Sequence, residues 1–361
     1  MRASKTHGSG GPAVHGALEL PAVTVDSYNI EIKDAEGFLG DQVSGRAFRA
    51  MLDDARKAIA AHGTDPLGEE PSSEISKKTL DKIIAEGDPK AASIVIGTIS
   101  EFGEKLANVV RRFRRQKDWR EVQAIVVGGG LRQSRTGELI IGRAATLLQG
   151  EGVPVDVMPI AHHPDKAGLI GAIHLVPRWM FEGFDAILAV DVGGSNIRCG
   201  IVLLNGKKAP DLSQAKVDQL KLWRHANDGP SRDEAVKRMT DMLKSLIKAA
   251  ERDKYKLAPV IGIGCPGVIT ENGMIEKGGQ NLPGNWESNR FNLPEAVQTE
   301  IPKIAEHETY VVMHNDAVIQ GLSQLPFLRH VEKWGVLTMG TGLGNAVFTT
   351  KDLEEPAGQS S

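Results

Sequence analysis

The stretch at 186–204, Ala-Ile-Leu-Ala-Val-Asp-Val-Gly-Gly-Ser-Asn-Ile-Arg-Cys-Gly-Ile-Val-Leu-Leu, constrains this chain more than any other. Two apolar runs flank a polar turn at 191–196, and the adjacent glycines Gly193 and Gly194 predict a tight hairpin with positive φ. Such a tip bares backbone N–H groups that can cradle phosphate oxygens, while Asp191 can hold a magnesium ion through water. Taken alone, the stretch fits a plain buried hairpin equally well. Residues 335–348, Gly-Val-Leu-Thr-Met-Gly-Thr-Gly-Leu-Gly-Asn-Ala-Val-Phe, repeat the design: apolar strand, glycine-rich tip with a hydroxyl, apolar strand. Two such hairpins in one chain are far less expected by chance than one.

The rest of the chain reads as alternating helices and strands. A chain of 361 residues exceeds what one core usually serves, so two domains are expected. Val95, Ile99, Phe102, Leu106, Val109, Val110 and Phe113 recur at spacings of three and four, which predicts a long amphipathic helix. Ala124-Ile-Val-Val-Gly-Gly-Gly130 is a buried-type strand ending in three glycines and followed by a helical run at 137–148. That order places a loop at a strand's carboxyl end, where α/β sheets bind ligands. The continuation Leu131-Arg132-Gln133 breaks the dinucleotide fingerprint. Further helices are predicted at 44–62, 75–85, 166–175, 232–250 and 317–325, and strands at 23–32, 153–160, 259–268 and 311–316.

Charge and cysteine content exclude several classes of function. A formal net charge of -3 gives no footprint for nucleic acid or for an anionic membrane. The one basic run, Arg111-Arg112-Phe113-Arg114-Arg115, closes a helix, where cations favour the dipole and solvent. Only Cys199 and Cys265 are present, too few for a disulfide framework or a four-cysteine zinc site and suited to a reducing cytoplasm. Neither a signal peptide nor a bilayer-length apolar run is read, so a cytoplasmic, membrane-free protein is expected. His162-His163 lacks a third ligand nearby in sequence and reads as a structural or surface pair.

Together these motifs resemble the sugar kinases of the ROK family, glucokinase-like members of the actin/hexokinase/Hsp70 ATPase superfamily. Asp191-Val-Gly-Gly-Ser-Asn-Ile-Arg198 is similar to the family's first phosphate loop, which assigns Gly193, Gly194, Ser195, Asn196 and Arg198 to phosphate and Asp191 to magnesium. Gly340-Thr341-Gly342-Leu343-Gly344 resembles the second, assigning Gly340, Thr341, Gly342 and Gly344 to phosphate, and Gly128, Gly129 and Gly130 resemble the adenosine loop. Cys265-Pro266-Gly267 and Asn281-Leu-Pro-Gly-Asn-Trp286 look like the sugar-side loops, and Asn315-Asp316 like the catalytic pair. Asn281, Pro283, Gly284, Asn315 and Asp316 are thereby implied in sugar binding, with Asp316 as general base. Asp316 stands before Ala317-Val318-Ile319 and equally suits a helix N-cap, a role compatible with catalysis.

The resemblance implies an α/β, two-domain actin-like (ribonuclease H-like) fold, ATP and magnesium, a small-molecule sugar acceptor, and allows a homodimer. The motif order differs from the family's, because the adenosine loop precedes the first phosphate loop, and a circular permutation is inferred. The expected layout is a flexible arm at 1–21, the main part of a larger adenosine-side domain at 22–180, and a smaller domain at 181–330. The second phosphate hairpin at 331–350 completes the larger domain, and a flexible tail follows at 351–361. The family's Glu-x-Gly-His motif and its cysteine zinc loop are both missing, so no zinc is expected and the acceptor sugar is open. So is the donor, ATP or polyphosphate. A kinase phosphorylating a hexose-like sugar is the leading expectation; a sugar- or nucleotide-sensing protein of the same fold is the alternative.

Overall fold

A computed structural model of the chain describes residues 14–35, 37–340 and 342–351. The elements, in chain order, begin with strand β1 (Val23–Tyr28) and helices α1 (Gly45–Ala60), α2 (Lys77–Glu86) and α3 (Pro89–Phe113). They continue through β2 (Ala124–Gly129), α4 (Arg135–Gly150), β3 (Asp156–Pro159) and α5 (Pro164–Gly171). The hairpin β4 (Ala186–Val192) and β5 (Ile197–Leu203) leads to β6 (Lys216–Trp223), α6 (Arg232–Arg252) and β7 (Leu257–Cys265). Then come α7 (Leu293–Glu300), β8 (Tyr310–Asn315), α8 (Asp316–Leu322), and the hairpin β9 (Lys333–Met339) and β10 (Leu343–Thr350).

Among the described residues the chain divides into two units. Unit 1 holds residues 14–24, Leu169–Asn315 and Lys351; unit 2 holds Val25–Gly168 and Asp316–Thr350. Each has a five-stranded sheet and its own apolar core. In unit 1 the order is β8-β7-β4-β5-β6, with β4, β7 and β8 parallel and β5 and β6 antiparallel to their neighbours. Every residue of β4 is buried, as expected of a strand flanked on both edges. The edge strand β6 went unread in the sequence because its Lys-Val-Asp-Gln-Leu-Lys-Leu-Trp pattern is half polar and has no continuous apolar run. Helix α6 covers this sheet with Ala235, Met239, Leu243 and Leu246; Ser231 and Glu234 close its start with a reciprocal capping box.

In unit 2 the order is β1-β10-β9-β2-β3, with β9, β2 and β3 parallel and β10 antiparallel to β9. Position by position this is the sheet of unit 1: β9 and β10 stand where β4 and β5 stand, β1 where β6 stands, and β2 and β3 where β7 and β8 stand. The strand sequence of unit 2 is thus a cyclic shift of that of unit 1, because its equivalent of β6 comes first in the chain. Helix α3 starts at Pro89 under an Asp88 cap and buries the periodic apolar face from Val95 to Phe113. The basic run at its end is engaged: Arg111 pairs with Glu151 at 2.6 Å, Arg112 lies 3.8 Å from Asp34, and Arg114 donates to the Arg120 carbonyl.

Three expectations change. The unit boundaries fall at 168/169 and 315/316 rather than at 180/181 and 330/331. Leu169 and Ala172 pack against Gly200 and Gly262 of the unit 1 sheet, whereas α8 packs on β9 and β10. The strand expected at 311–316 stops at Asn315, and Asp316 opens the helix. Of the arm expected at 1–21, residues 14–21 are built into unit 1, with Gly16 donating to the Met313 carbonyl at 2.9 Å; residues 1–13 and 352–361 lie outside the described residues.

Trp119 shows how the unit 2 core depends on shape. It is fully buried, 4.7 Å from Phe113 between ring centroids, and a side chain at Gly335 on β9 would collide with its ring. Trp119→Ala is expected to cost about 3–5 kcal/mol, read as a lowered urea midpoint, with the tryptophan signal of unit 1 losing less.

Candidate functional site

In unit 1 the carboxyl ends of three parallel neighbours converge. Asp191 of β4 pairs with Gly264 of β7, and Asn315 of β8 pairs with Cys265. The turns that leave this edge include Gly193 to Asn196 after β4 and Pro266-Gly267 after β7, at the place where parallel sheets bind ligands. The β4–β5 tip is closed by Gly193 N donating to the Asn196 carbonyl at 2.8 Å. His225 Nε2 lies 2.8 Å from the Gly193 carbonyl and Ala226 N donates to the Ser195 carbonyl at 3.3 Å, so the tip rests on a second segment.

The glycines at this tip serve a different purpose from the one expected. Neither Gly193 nor Gly194 has positive φ. A Cβ at Gly194 would sit 3.0 Å from Asn281 Cβ, and one at Gly193 would sit 3.3 Å from the Asn196 carbonyl oxygen. Their lack of a side chain admits close neighbours instead. Asn281 therefore lies against the phosphate-type tip within the same unit. Its loop is pinned by Trp286, whose Nε1 donates to the Pro283 carbonyl at 2.7 Å, and turns at Gly284, φ +77°, where a Cβ would press on Arg232 N.

Asp191 and Arg198 face each other across the hairpin and form an ion pair of 3.2 Å, with side chains 7% and 17% exposed. A strand-end carboxylate already shared with a guanidinium suits an outer-sphere hold on magnesium, through water. Among the described residues no group of three or more His, Cys, Asp and Glu side chains could bind a metal directly. Asn315 is buried, and its Nδ2 donates to the Gly267 carbonyl at 2.9 Å, fixing the Cys265-Pro266-Gly267 turn.

In unit 2 the β9–β10 tip is closed by Gly340 N donating to the Gly342 carbonyl at 2.9 Å; Thr341 lies outside the described residues. Thr338 pairs with Gly344, where any side chain would run into Thr338 Oγ1. At the end of β2, Gly129 has φ +94°, and a Cβ there would collide with the Met339 carbonyl of β9. Gly128 pairs with Thr338, so the glycine loop and the second tip leave adjacent strands of one sheet. Asp316, half-buried, accepts from Ala317 N at 2.9 Å at the start of α8.

Two residues beside the Gly128–Gly130 turn were not found from the sequence. Lys77 Nζ donates to the Gly130 carbonyl at 2.5 Å; burial, then the like charge of Arg49, lowers its pKa, against the pull of Asp165. Asp81 accepts from Arg135 N and Thr136 N at 3.0 and 2.8 Å, so the N-terminus of α4 already holds a carboxylate. Both act across more than fifty residues of sequence, with no local motif to announce them.

No protein-family model matches the chain, and no curated protein matches it. Among solved structures it is similar to a putative sugar kinase from Cytophaga hutchinsonii, at 21% identity over 45% of this chain and 47% of that one, with a TM-score of 0.35. A putative N-acetylmannosamine kinase from Listeria monocytogenes is 24% identical over 45% and 47% of the two chains, TM-score 0.33. A ROK hexokinase from Thermus thermophilus is 20% identical over 45% and 46%, TM-score 0.28. The matched part of each of these structures is under half its length. No helix among the described residues is long and apolar enough to cross a membrane.

His314 gives unit 1 an acid-sensitive element. Burial lowers its pKa from 6.5 to about 4, against the raising effect of its bond to the Ala17 carbonyl. Below pH 6.5 the unfolded chain gains a proton that the folded chain refuses until about pH 4. Stability is therefore lost as pH falls through this window, on the order of 3 kcal/mol from this group, and levels off below it. His15 and His162, also lowered chiefly by burial, add slope of the same sign. Urea unfolding at pH 7.0, 5.5 and 4.0 should show this slope, and His314→Gln should flatten it; an unchanged slope would assign it elsewhere.

Proposed function

We propose that this protein is an ATP-dependent kinase of a hexose-like sugar, built on a circularly permuted ROK-type fold. The observation that carries the reading is the equivalence of the two sheets. Each has a glycine-tipped hairpin at the same position, β4–β5 in one and β9–β10 in the other, and each has its ligand-type loops at the carboxyl ends of the same parallel strands. Two copies of one phosphate-holding device in one chain answer the needs of a triphosphate better than those of any single-anion ligand.

In this reading Gly193, Gly194, Ser195 and Asn196 offer phosphate oxygens their backbone N–H groups, with Arg198 adding charge, and Gly340, Thr341, Gly342 and Gly344 do the same in unit 2. Gly128, Gly129 and Gly130 take the adenosine. Magnesium, when bound, neutralises charge on the phosphate oxygens, and Asp191 would hold it through water. Asn281, Pro283, Gly284 and Asn315 shape the acceptor side, where amides can both donate to and accept from sugar hydroxyls. Asp316 accepts the hydroxyl proton as that oxygen bonds to the γ-phosphorus in line; the bond to the bridging oxygen breaks and ADP leaves with its electron pair.

The test is a coupled ADP-release assay across hexoses, N-acetylated hexosamines and polyols, with ATP and with polyphosphate. ADP release that requires both a sugar and magnesium is expected; tight sugar binding with no turnover on any acceptor would turn the reading to a sensing protein. Asp316→Ala should lose about 100- to 10,000-fold in kcat while nucleotide binding, followed by calorimetry, persists. Wild-type turnover in that variant would remove Asp316 from the mechanism.

A further inference from the structure

A continuous line of hydrogen bonds crosses unit 1 from the first described residues to the Cys265-Pro266-Gly267 turn. Gly16 N donates to the Met313 carbonyl at 2.9 Å, and Met313 N donates to His15 Nδ1 at 3.2 Å, so residues 15–17 run along the outer edge of β8. Asn315 N donates to His314 Nδ1 at 2.7 Å, which assigns the imidazole hydrogen to Nε2; that nitrogen donates to the Ala17 carbonyl at 3.0 Å. Asn315 Nδ2 in turn reaches the Gly267 carbonyl. The segment is also fitted to the small hairpin after the turn. Gly16 has φ +58°, and a side chain there would run into the Ile269 carbonyl, while a Cβ at Gly273 would meet His15 Cδ2 at 3.0 Å.

Covering an edge strand would need only backbone bonds. Here a buried imidazole uses both nitrogens on different stretches of backbone, and the next side chain holds the turn. A buried polar network with its groups engaged fixes one arrangement, because breaking any link leaves a costly unmet donor or acceptor. His314 and Asn315 close β8, whose carboxyl end stands beside that of β7, where the turn begins.

We propose that His314 is a positioning residue for acceptor binding: it ties residues 15–17 to Asn315 and the Cys265-Pro266-Gly267 turn, making the segment before β1 part of the acceptor side of unit 1. The acceptor rests on the sugar-kinase reading; the line of bonds does not.

Gly16→Ala and His314→Gln in the full chain test this. Gly16→Ala displaces the segment without touching any residue assigned to substrate. His314→Gln can still reach Ala17 but removes the acceptor for Asn315 N. Each is expected to raise the KM for the acceptor sugar by about tenfold while kcat and the KM for ATP stay within about twofold. In 15N-resolved NMR, the Asn315 side-chain amide signals should shift and lose protection from exchange. A lowered Tm with unchanged acceptor KM and unchanged Asn315 signals would reduce the segment to edge cover and overturn the proposal. If the wild-type chain turns over no sugar, the kinase reading fails, and the Asn315 signals in the folded variant still decide whether the segment positions that amide.

Discussion

Parallel pairing of β4 with β7, and of β7 with β8, is the constraint from which the unit 1 site follows. Parallel strands must all release the chain at one edge, so the register that sets Asp191 beside Gly264 and Asn315 beside Cys265 also brings the loops after them together. Central strands in such pairing are buried on both faces, which is why the residues of β4 are apolar up to Asp191. The same constraint operates in unit 2 through β9, β2 and β3, where it aligns the glycine loop after β2 with the tip after β9.

Converging chain ends leave little room, and glycine placement answers that crowding. Gly129 is needed twice over, for a left-handed backbone and because the Met339 carbonyl occupies the space of a side chain. At Gly194 and Gly344 only the second demand applies: the backbone conformation suits any residue, but Asn281 and Thr338 stand too close. Gly194 and Gly344 therefore record what lies against them more than how the chain turns, whereas Gly340 and Gly342 have open space around them.

Much of this was readable beforehand. The two hairpins and the long α3 rest on local patterns of a few residues, and such patterns survive folding because neighbours in sequence remain neighbours in space. The polar edge strand β6 was missed, since exposure on one side removes the apolar signature of a strand. Lys77 and Asp81 at the Gly128–Gly130 turn, and His15 on β8, join parts of the chain separated by about 50 to 300 residues, and no spacing rule spans such distances. The close approach at Gly194 escaped notice for a related reason: Asn281, which lies against it, is far along the chain.

The cyclic order of strands in unit 2 has a consequence during synthesis. The central strand β9 is made after every other strand of its sheet except β10, its hairpin partner, so β2 emerges with one edge unmatched and stays so while about two hundred further residues are added. Unit 1, whose strands from β4 to β8 are contiguous, can close its sheet during that wait. A nascent chain of this design carries a finished unit and an open template at the same time, and the β9–β10 hairpin, made after both, is the one that quenches the template.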